Sequence, residues 1–304
     1  MHISTNRITF IVRIVIFYFM KTSFFTSFIL STLFLTLISL ALELLFVGTL
    51  NLSYLSWFLL SNALIVLILG LIIQNNTQVG WRLSLLVFIV YFLIGHFNIL
   101  IEAYIFNVTD RGQTLDIIRA GLFISLISSP FLVYFFGKWK GENSQLQFAP
   151  RSFLTWTWRF IVSDLLYVFF YLLAGFILYS VYPSLMDFYG DKIPPFELMI
   201  GTQFFRALIF ILAAFIIFRS VNLSLIKRAL LIGVFFAIIG GIAPLVIPQG
   251  ELMPDYIRFG HAFEVGFSNS LYGFILTYLM GQKILPVTDG AATGNTDSNN
   301  LKFV

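Results

Sequence analysis

One short segment near the end of the chain, RFGHAFEVGFSN at residues 258–269, brings together side chains that can do chemistry. Arg258 can bind an anion, and His261 and Glu264 can exchange protons or hold a metal ion. At 100° per residue, Arg258, His261, Glu264 and Ser268 fall within an arc of about 120°, on one face of a helix. Asn269 follows them with an amide that can join two helices. The function depends on what surrounds this face.

The composition indicates the medium in which this face lies. Of the 304 residues, 59% are hydrophobic and 11% are charged, and the mean hydropathy is +0.93, whereas soluble domains carry about 25% charged residues. We therefore expect an integral membrane protein with the lipid bilayer as its main partner. Lys and Arg lie in loops, where they set topology, so we expect no nucleic-acid binding. The chain lacks cysteine, which excludes thiolate metal sites and cysteine catalysis.

The elements that must position the polar face are membrane spans. About 20 mostly apolar residues cross a bilayer, and apolarity without alternation predicts helices rather than a barrel. The sequence thus predicts an all-α, polytopic transmembrane helix bundle of about eight spans. The predicted spans are residues 23–48, 53–74, 82–107, 115–137, 160–182, 198–218, 228–247 and 256–280.

The basic residues orient this bundle. A cytoplasmic N-terminus places 13 of the 18 Lys and Arg on the inside, so the positive-inside rule predicts that both termini are cytoplasmic. Residues 1–22 are predicted as a cytoplasmic or interfacial segment, or as the product of a wrongly assigned start. Residues 23–282 form the transmembrane domain, and 283–304 a disordered cytoplasmic tail. The loop at 138–158 is predicted to lie along the membrane surface with its three Trp.

Ionisable residues within spans are functional candidates by default. Counted from the span ends, most of them lie at one depth, which predicts an outward-opening polar pocket between spans three, four, six and eight. Arg258 is expected at its mouth, and Asn269 as a deeper hydrogen bond between helices. The candidate pocket residues are Asn98, Glu102, Arg119, Arg206, Arg258, His261, Glu264 and Asn269.

Two functions fit such a pocket. The first is binding or transport of a polar or anionic small molecule, with Arg119, Arg206 and Arg258 as donors and the glutamates carrying protons. The second is a metal-dependent membrane enzyme, a hydrolase, in which His261 and Glu264 form an HxxE pair completed by Glu102. The sequence leaves open which applies, and with it the cofactor.

Two further interpretations remain. His96 and His261 could hold a b-type haem. Alternatively, the polar residues could form only structural ion pairs, for example Glu102 with Arg206 and Glu264 with Arg119, which hold the helices in register.

The segment MPDYIRFGHAFEVGFSNSLYGF at 253–274 also carries a resemblance. Together with NILIEAYIF at 98–106, YLLAGFILYSVYPSLMDFYG at 171–190 and RALIFILAAF at 206–215, it resembles a family of uncharacterised bacterial multi-pass membrane proteins. The resemblance implies a location in the bacterial cytoplasmic (inner) membrane and no particular activity. Asn98, Glu102, Arg206, Arg258, His261, Glu264, Ser268 and Asn269 match the pattern.

Overall fold

The structure is a computed structural model that describes residues 22–46, 48, 52–106, 110–182, 194–248, 253–282, 284 and 285. These residues contain helices and no β-strand. Most of these described residues form eight long helices. They are α1 (Thr22–Phe46), α2 (Leu55–Gln74), α3 (Gly80–Ile105), α4 (Arg111–Phe135), α5 (Phe153–Val181), α6 (Phe196–Ser220), α7 (Leu225–Val246) and α8 (Asp255–Met280).

The helices have the character expected of a multi-pass membrane protein. Among the described residues, seven helices, α1 to α7, are long and apolar enough to cross a membrane. Helix α8 has 26 residues, which is also sufficient length, but it carries the polar segment. Large apolar side chains such as Leu45, Phe153 and Phe176 point away from the protein. A soluble protein rarely exposes so much contiguous apolar surface, whereas a bilayer solvates it.

Two helices begin four or more residues earlier than the sequence predicted. Helix α4 starts at Arg111 because the Asp110 side chain accepts a hydrogen bond from the Gln113 N–H at 3.0 Å. Helix α5 starts at Phe153, where Ser152 caps the Thr155 N–H at 3.3 Å. The prediction that residues 138–158 form one surface loop is therefore wrong for the part after Ser152. Capping residues determine where a helix begins, and a prediction from hydropathy alone does not take them into account.

Two helices contain a π-helical turn, and these turns pack on each other. One spans Leu93–Asn98 in α3 and the other Ile238–Ile242 in α7. A Cβ added to Gly95 would lie 3.0 Å from the Ile239 side chain. Pro244 cannot donate to the carbonyl of Gly240 four residues before it, and Asn269 of α8 donates to that carbonyl instead, at 3.1 Å. These contacts fix how α3, α7 and α8 face each other.

The two ends of the bundle differ in charge. We call the end where α3 finishes and α8 begins the site end, and the opposite end the arginine end. At the arginine end, Arg151 donates to the Met280 carbonyl at 3.0 Å and Arg228 to the Gln282 carbonyl at 3.2 Å. Arg159 donates to the Leu279 carbonyl. Cations stabilise the carbonyl-rich C-terminus of a helix, so these arginines hold α8 in place.

The predicted terminal segments lie almost wholly outside the described residues. Of the segment 1–22, the structure describes only the backbone of Thr22, which begins α1. Of the predicted tail, it describes Ile284 and Leu285, and the Leu285 N–H donates to the Gln147 carbonyl at 2.9 Å. These two residues pack on the loop before α5.

Candidate functional site

A small polar cavity lies between α3, α5, α6 and α8. Its volume is about 40 Å³, which is room for a few water molecules or a small polar group. The lining combines charged, hydroxyl and aromatic side chains. It comprises Glu102, Tyr167, Phe170, Tyr171, Arg206, His261, Glu264, Val265, Ser268, Asn269 and Tyr272.

Glu102 and Arg206 form an ion pair between α3 and α6. Arg206 Nη1 lies 2.5 Å from Glu102 Oε2. Gln203, one turn before Arg206, donates to Glu102 Oε1 at 2.6 Å and accepts from Arg206 Nη1 at 3.1 Å. This is the interhelical pair that the structural interpretation predicted, reinforced by an amide on the same turn.

His261 and Glu264 form a second pair, of a different kind. His261 Nδ1 lies 2.9 Å from Glu264 Oε2, and both residues belong to α8. In the described part of the chain, these two side chains have no other hydrogen-bond or ion-pair partner. A pair within one helical turn does not tie helices together, so the structural role of Glu102 and Arg206 does not extend to it.

The charges of the cavity do not balance when His261 is neutral. The lining contains two carboxylates, Glu102 and Glu264, against the guanidinium of Arg206 and the imidazole of His261. The sum is therefore zero with a protonated imidazole and −1 with a neutral one. A proton or a small cation can compensate the difference.

Three tyrosines complete the cavity, of which Tyr167 and Tyr272 are buried and Tyr171 is partly buried, and the sequence reasoning missed them. The Tyr167 ring lies 5.1 Å from the Tyr272 ring, and the Arg206 guanidinium lies 5.9 Å from the Tyr167 ring centre. The Tyr272 hydroxyl is buried without a hydrogen-bond partner among the described residues. Tyr167 and Tyr171 lie four residues apart in a span that otherwise looks lipid-facing, and this spacing was the available signal.

Arg119 lies away from the cavity. It pairs with Asp116 of the same helix at 2.7 Å, and the two side chains are 60% and 41% exposed. The predicted pair of Glu264 with Arg119 is therefore wrong. The prediction that span four lines the pocket is also wrong, because α5 lies there in its place.

Arg258 is a cap for α7 rather than the mouth of the cavity. It is 1% exposed and donates to the carbonyls of Leu245 and Val246 at 2.8 and 2.6 Å. Asp255 accepts from it at 2.8 Å. These two carbonyls lie in the last turn of α7, where they lack partners within the helix, so Arg258 joins the end of α7 to the start of α8.

The two predicted asparagines differ in position. Asn269 lines the cavity and makes the hydrogen bond to Gly240 between α8 and α7. Asn98 is fully buried at the end of the π-helical turn of α3, outside the cavity lining, and its amide has no partner among the described residues.

The candidate metal ligands are only partly free. Glu102 is held by Arg206 and Gln203, which leaves His261 and Glu264 of the predicted set. In the part of the chain that the structure describes, no three His, Asp or Glu side chains form a group that could hold a metal ion. His96, the second predicted haem ligand, packs 5.0 Å from the Tyr91 ring and is not part of the cavity lining.

Comparisons of this chain with protein-family models, with curated proteins and with solved structures found no match. The resemblance of residues 253–274 to a bacterial membrane family therefore stays a prediction.

Proposed function

We propose that this protein crosses a bacterial cytoplasmic membrane eight times, with both termini in the cytoplasm and the site end facing outward. The basic residues support this orientation. In the described ranges, eight Lys and Arg lie towards the arginine end and three towards the site end, with Arg206 inside α6, the asymmetry typical of cytoplasmic and external loops. The cavity then lies in the outer half of the membrane.

We further propose that the cavity binds, and in the course of transport releases, a small polar molecule at Glu264. The observation that carries this proposal is the His261–Glu264 pair, which lines a cavity and joins no two helices. Ionisable groups inside a membrane are costly, and those without a structural partner on another helix mark binding or proton sites. His261 takes up or releases a proton as the charge near Glu264 changes.

The charge of the cavity favours a cation over the anion that the sequence suggested. The anionic ligand was expected because three arginines were placed in the pocket, but only Arg206 lines it, and Glu102 neutralises that charge at 2.5 Å. An anion entering the cavity would face two carboxylates. A primary ammonium group would instead donate to Glu264 and restore neutrality.

Binding of methylammonium tests this proposal. The protein is placed in phosphatidylcholine nanodiscs, and equilibrium binding of the radiolabelled cation is measured for the wild type and for Glu264→Gln. We expect saturable binding to the wild type and a Kd raised more than tenfold in the variant, because a hydrogen bond to a charged group contributes about 1.5–3 kcal/mol.

The matched control is Asp116→Asn, which removes a carboxylate that likewise pairs with a base three residues away on its own helix, but at the surface. Its Kd should stay within twofold of the wild type. Absence of saturable binding to the wild type, or binding unchanged by Glu264→Gln, would contradict the proposal. Proteoliposomes loaded by the same labelled cation then separate transport from binding alone.

A further inference from the structure

An apolar groove opens on the outside of the bundle between α5 and α8. Its volume is about 510 Å³, in the range of sites that bind organic molecules of about 300–1,000 Å³. Apolar and aromatic side chains from the two helices form its walls. The lining comprises Ala174, Ile177, Leu178, Val181, Tyr182, Tyr256, Phe259, Gly260, Phe263, Glu264 and Phe267.

The groove faces the region where a membrane protein meets lipid. Phe259, Phe263 and Phe267 recur every four residues along one stripe of α8, and the rings of Phe263 and Phe267 stack 6.3 Å apart. Phe263 is 77% exposed and Phe267 65% exposed. A stripe of this kind is solvated by alkyl chains and not by water.

Glu264 belongs to both the groove and the polar cavity, and among the described residues it is the only charged one that lines the groove. The two spaces therefore meet at one carboxylate. The cavity of about 40 Å³ accommodates a head group and little more, whereas the groove continues from that carboxylate out to the lipid-facing surface.

We propose that the ligand is an amphiphile with a cationic head group and an alkyl chain, which enters sideways from the bilayer. The head group pairs with Glu264 in the cavity, and the chain lies in the groove between α5 and α8. Charge complementarity at Glu264 determines the head group, and the apolar walls determine the chain. This inference rests on the proposed cation site and names its substrate class.

Two probes that share a head group separate the inference from the proposed function. Methylammonium reports the cavity alone, and dodecylammonium adds a chain for the groove. In nanodiscs of one composition, dodecylammonium competes with labelled methylammonium, and its concentration is expressed per lipid because it partitions into the bilayer. Dodecanoate and dodecanol carry the same chain without the cation and are expected to compete at least tenfold more weakly.

Gly260→Leu is the variant that fills the groove. A Cβ at Gly260 would meet only Leu178, at 3.7 Å, an ordinary contact, and Gly260 is not part of the cavity lining. We expect methylammonium binding to stay within twofold of the wild type and dodecylammonium to compete more than tenfold more weakly. Gly201→Leu is the matched control, since Gly201 on α6 is exposed with no atom within 4 Å of an added Cβ.

The outcomes are distinct. Equal competition by dodecylammonium in the wild type and Gly260→Leu overturns the amphiphile and leaves the cation site intact. Failure of methylammonium to bind the wild type overturns the proposed function, and the amphiphile falls with it. If Gly260→Leu loses methylammonium binding, it is replaced by Ala174→Phe, which narrows the groove from the opposite wall. Competition by dodecylammonium is then compared between the wild type and Ala174→Phe.

Discussion

The two carboxylates of the cavity have different tasks. The Glu102 carboxylate of α3 is bonded to Arg206 and Gln203 of α6, whereas among the described residues the Glu264 carboxylate is bonded only to a neighbour on its own helix. Loss of the first should therefore affect stability, and loss of the second should affect binding. Stability measurements on variants of the Glu102–Arg206 pair test the first of these expectations.

Arg206→Met is expected to destabilise the protein, because it leaves the partly buried Glu102 carboxylate, whose side chain is 26% exposed, without its counterion. Removal of one partner of a buried ion pair costs about 3–5 kcal/mol. The free energy of unfolding, measured by SDS titration in mixed micelles, should fall by up to that amount.

The double variant Glu102→Leu/Arg206→Met is the control for this prediction. It should recover part of the loss, because an apolar pair leaves no buried charge, although Gln203 still lacks its partners. Arg119→Met, which breaks the exposed pair with Asp116, should cost about 1 kcal/mol or less. A double variant as unstable as Arg206→Met would show that the loss does not come from the unpaired Glu102 carboxylate.

The sequence allowed some of these residues to be placed and not others. The depth of a residue in the membrane can be counted from the ends of its span, and this count correctly predicted that Glu102 lies near Arg206. The two arginines that were predicted in the cavity but lie outside it each follow an aspartate by three residues, Arg119 after Asp116 and Arg258 after Asp255. Partners at this spacing lie on one face of a helix and satisfy the charge locally, so the signal was present in the sequence.

At the scale of elements, α7 and α8 approach so closely that glycine is required between them. A Cβ added to Gly233 would lie 2.7 Å from the Ser270 carbonyl oxygen, and one added to Gly273 would lie 3.0 Å from the Gly233 Cα. Both obstacles are backbone atoms, which cannot rotate away. Small residues at such crossings let membrane helices pack backbone to backbone.

Gly233→Ala should therefore destabilise the bundle. The strain of an extra methyl group in a tight contact costs about 1–3 kcal/mol, which exceeds the gain of about 1 kcal/mol that alanine gives over glycine in a helix. The free energy of unfolding in mixed micelles should fall.

Gly175→Ala on α5 is the matched control, since no atom lies within 4 Å of an added Cβ there. It should leave stability unchanged or raise it. Equal effects of the two substitutions would mean that α7 and α8 can separate without cost.

Element positions followed from the sequence more closely than element geometry did. Eight apolar segments were predicted, and each corresponds to one of the helices α1 to α8, because hydropathy and length govern spanning segments. The π-helical turns Leu93–Asn98 and Ile238–Ile242 were not predicted. They form where α3 and α7 meet, and a contact between distant segments leaves no local pattern. These turns affect which residues face the cavity, so the site could not be assembled from helical spacing alone.

At the scale of the whole molecule, the bundle is polarised along its axis. In the described part of the chain, the loops at the arginine end contain one carboxylate, Glu142, among their basic residues. The basic residues of the site end instead have aspartates close to them in the sequence. Three of these basic residues, Arg151, Arg159 and Arg228, donate hydrogen bonds to carbonyls at the end of α8. The same charges that fix a helix also predict the orientation of the whole chain.

The absence of cysteine makes this orientation directly testable, because any cysteine introduced is the only one. Ser144→Cys lies in the loop between α4 and α5 at the arginine end, and Gln113→Cys in the first turn of α4 at the site end, both at exposed positions. In intact bacteria, a membrane-impermeant maleimide should label Gln113→Cys, and Ser144→Cys only after permeabilisation. The reverse pattern would place the site end in the cytoplasm, with the ligand drawn from the inner leaflet. Labelling of both in intact cells would contradict a transmembrane α4, and the count of eight spans with it.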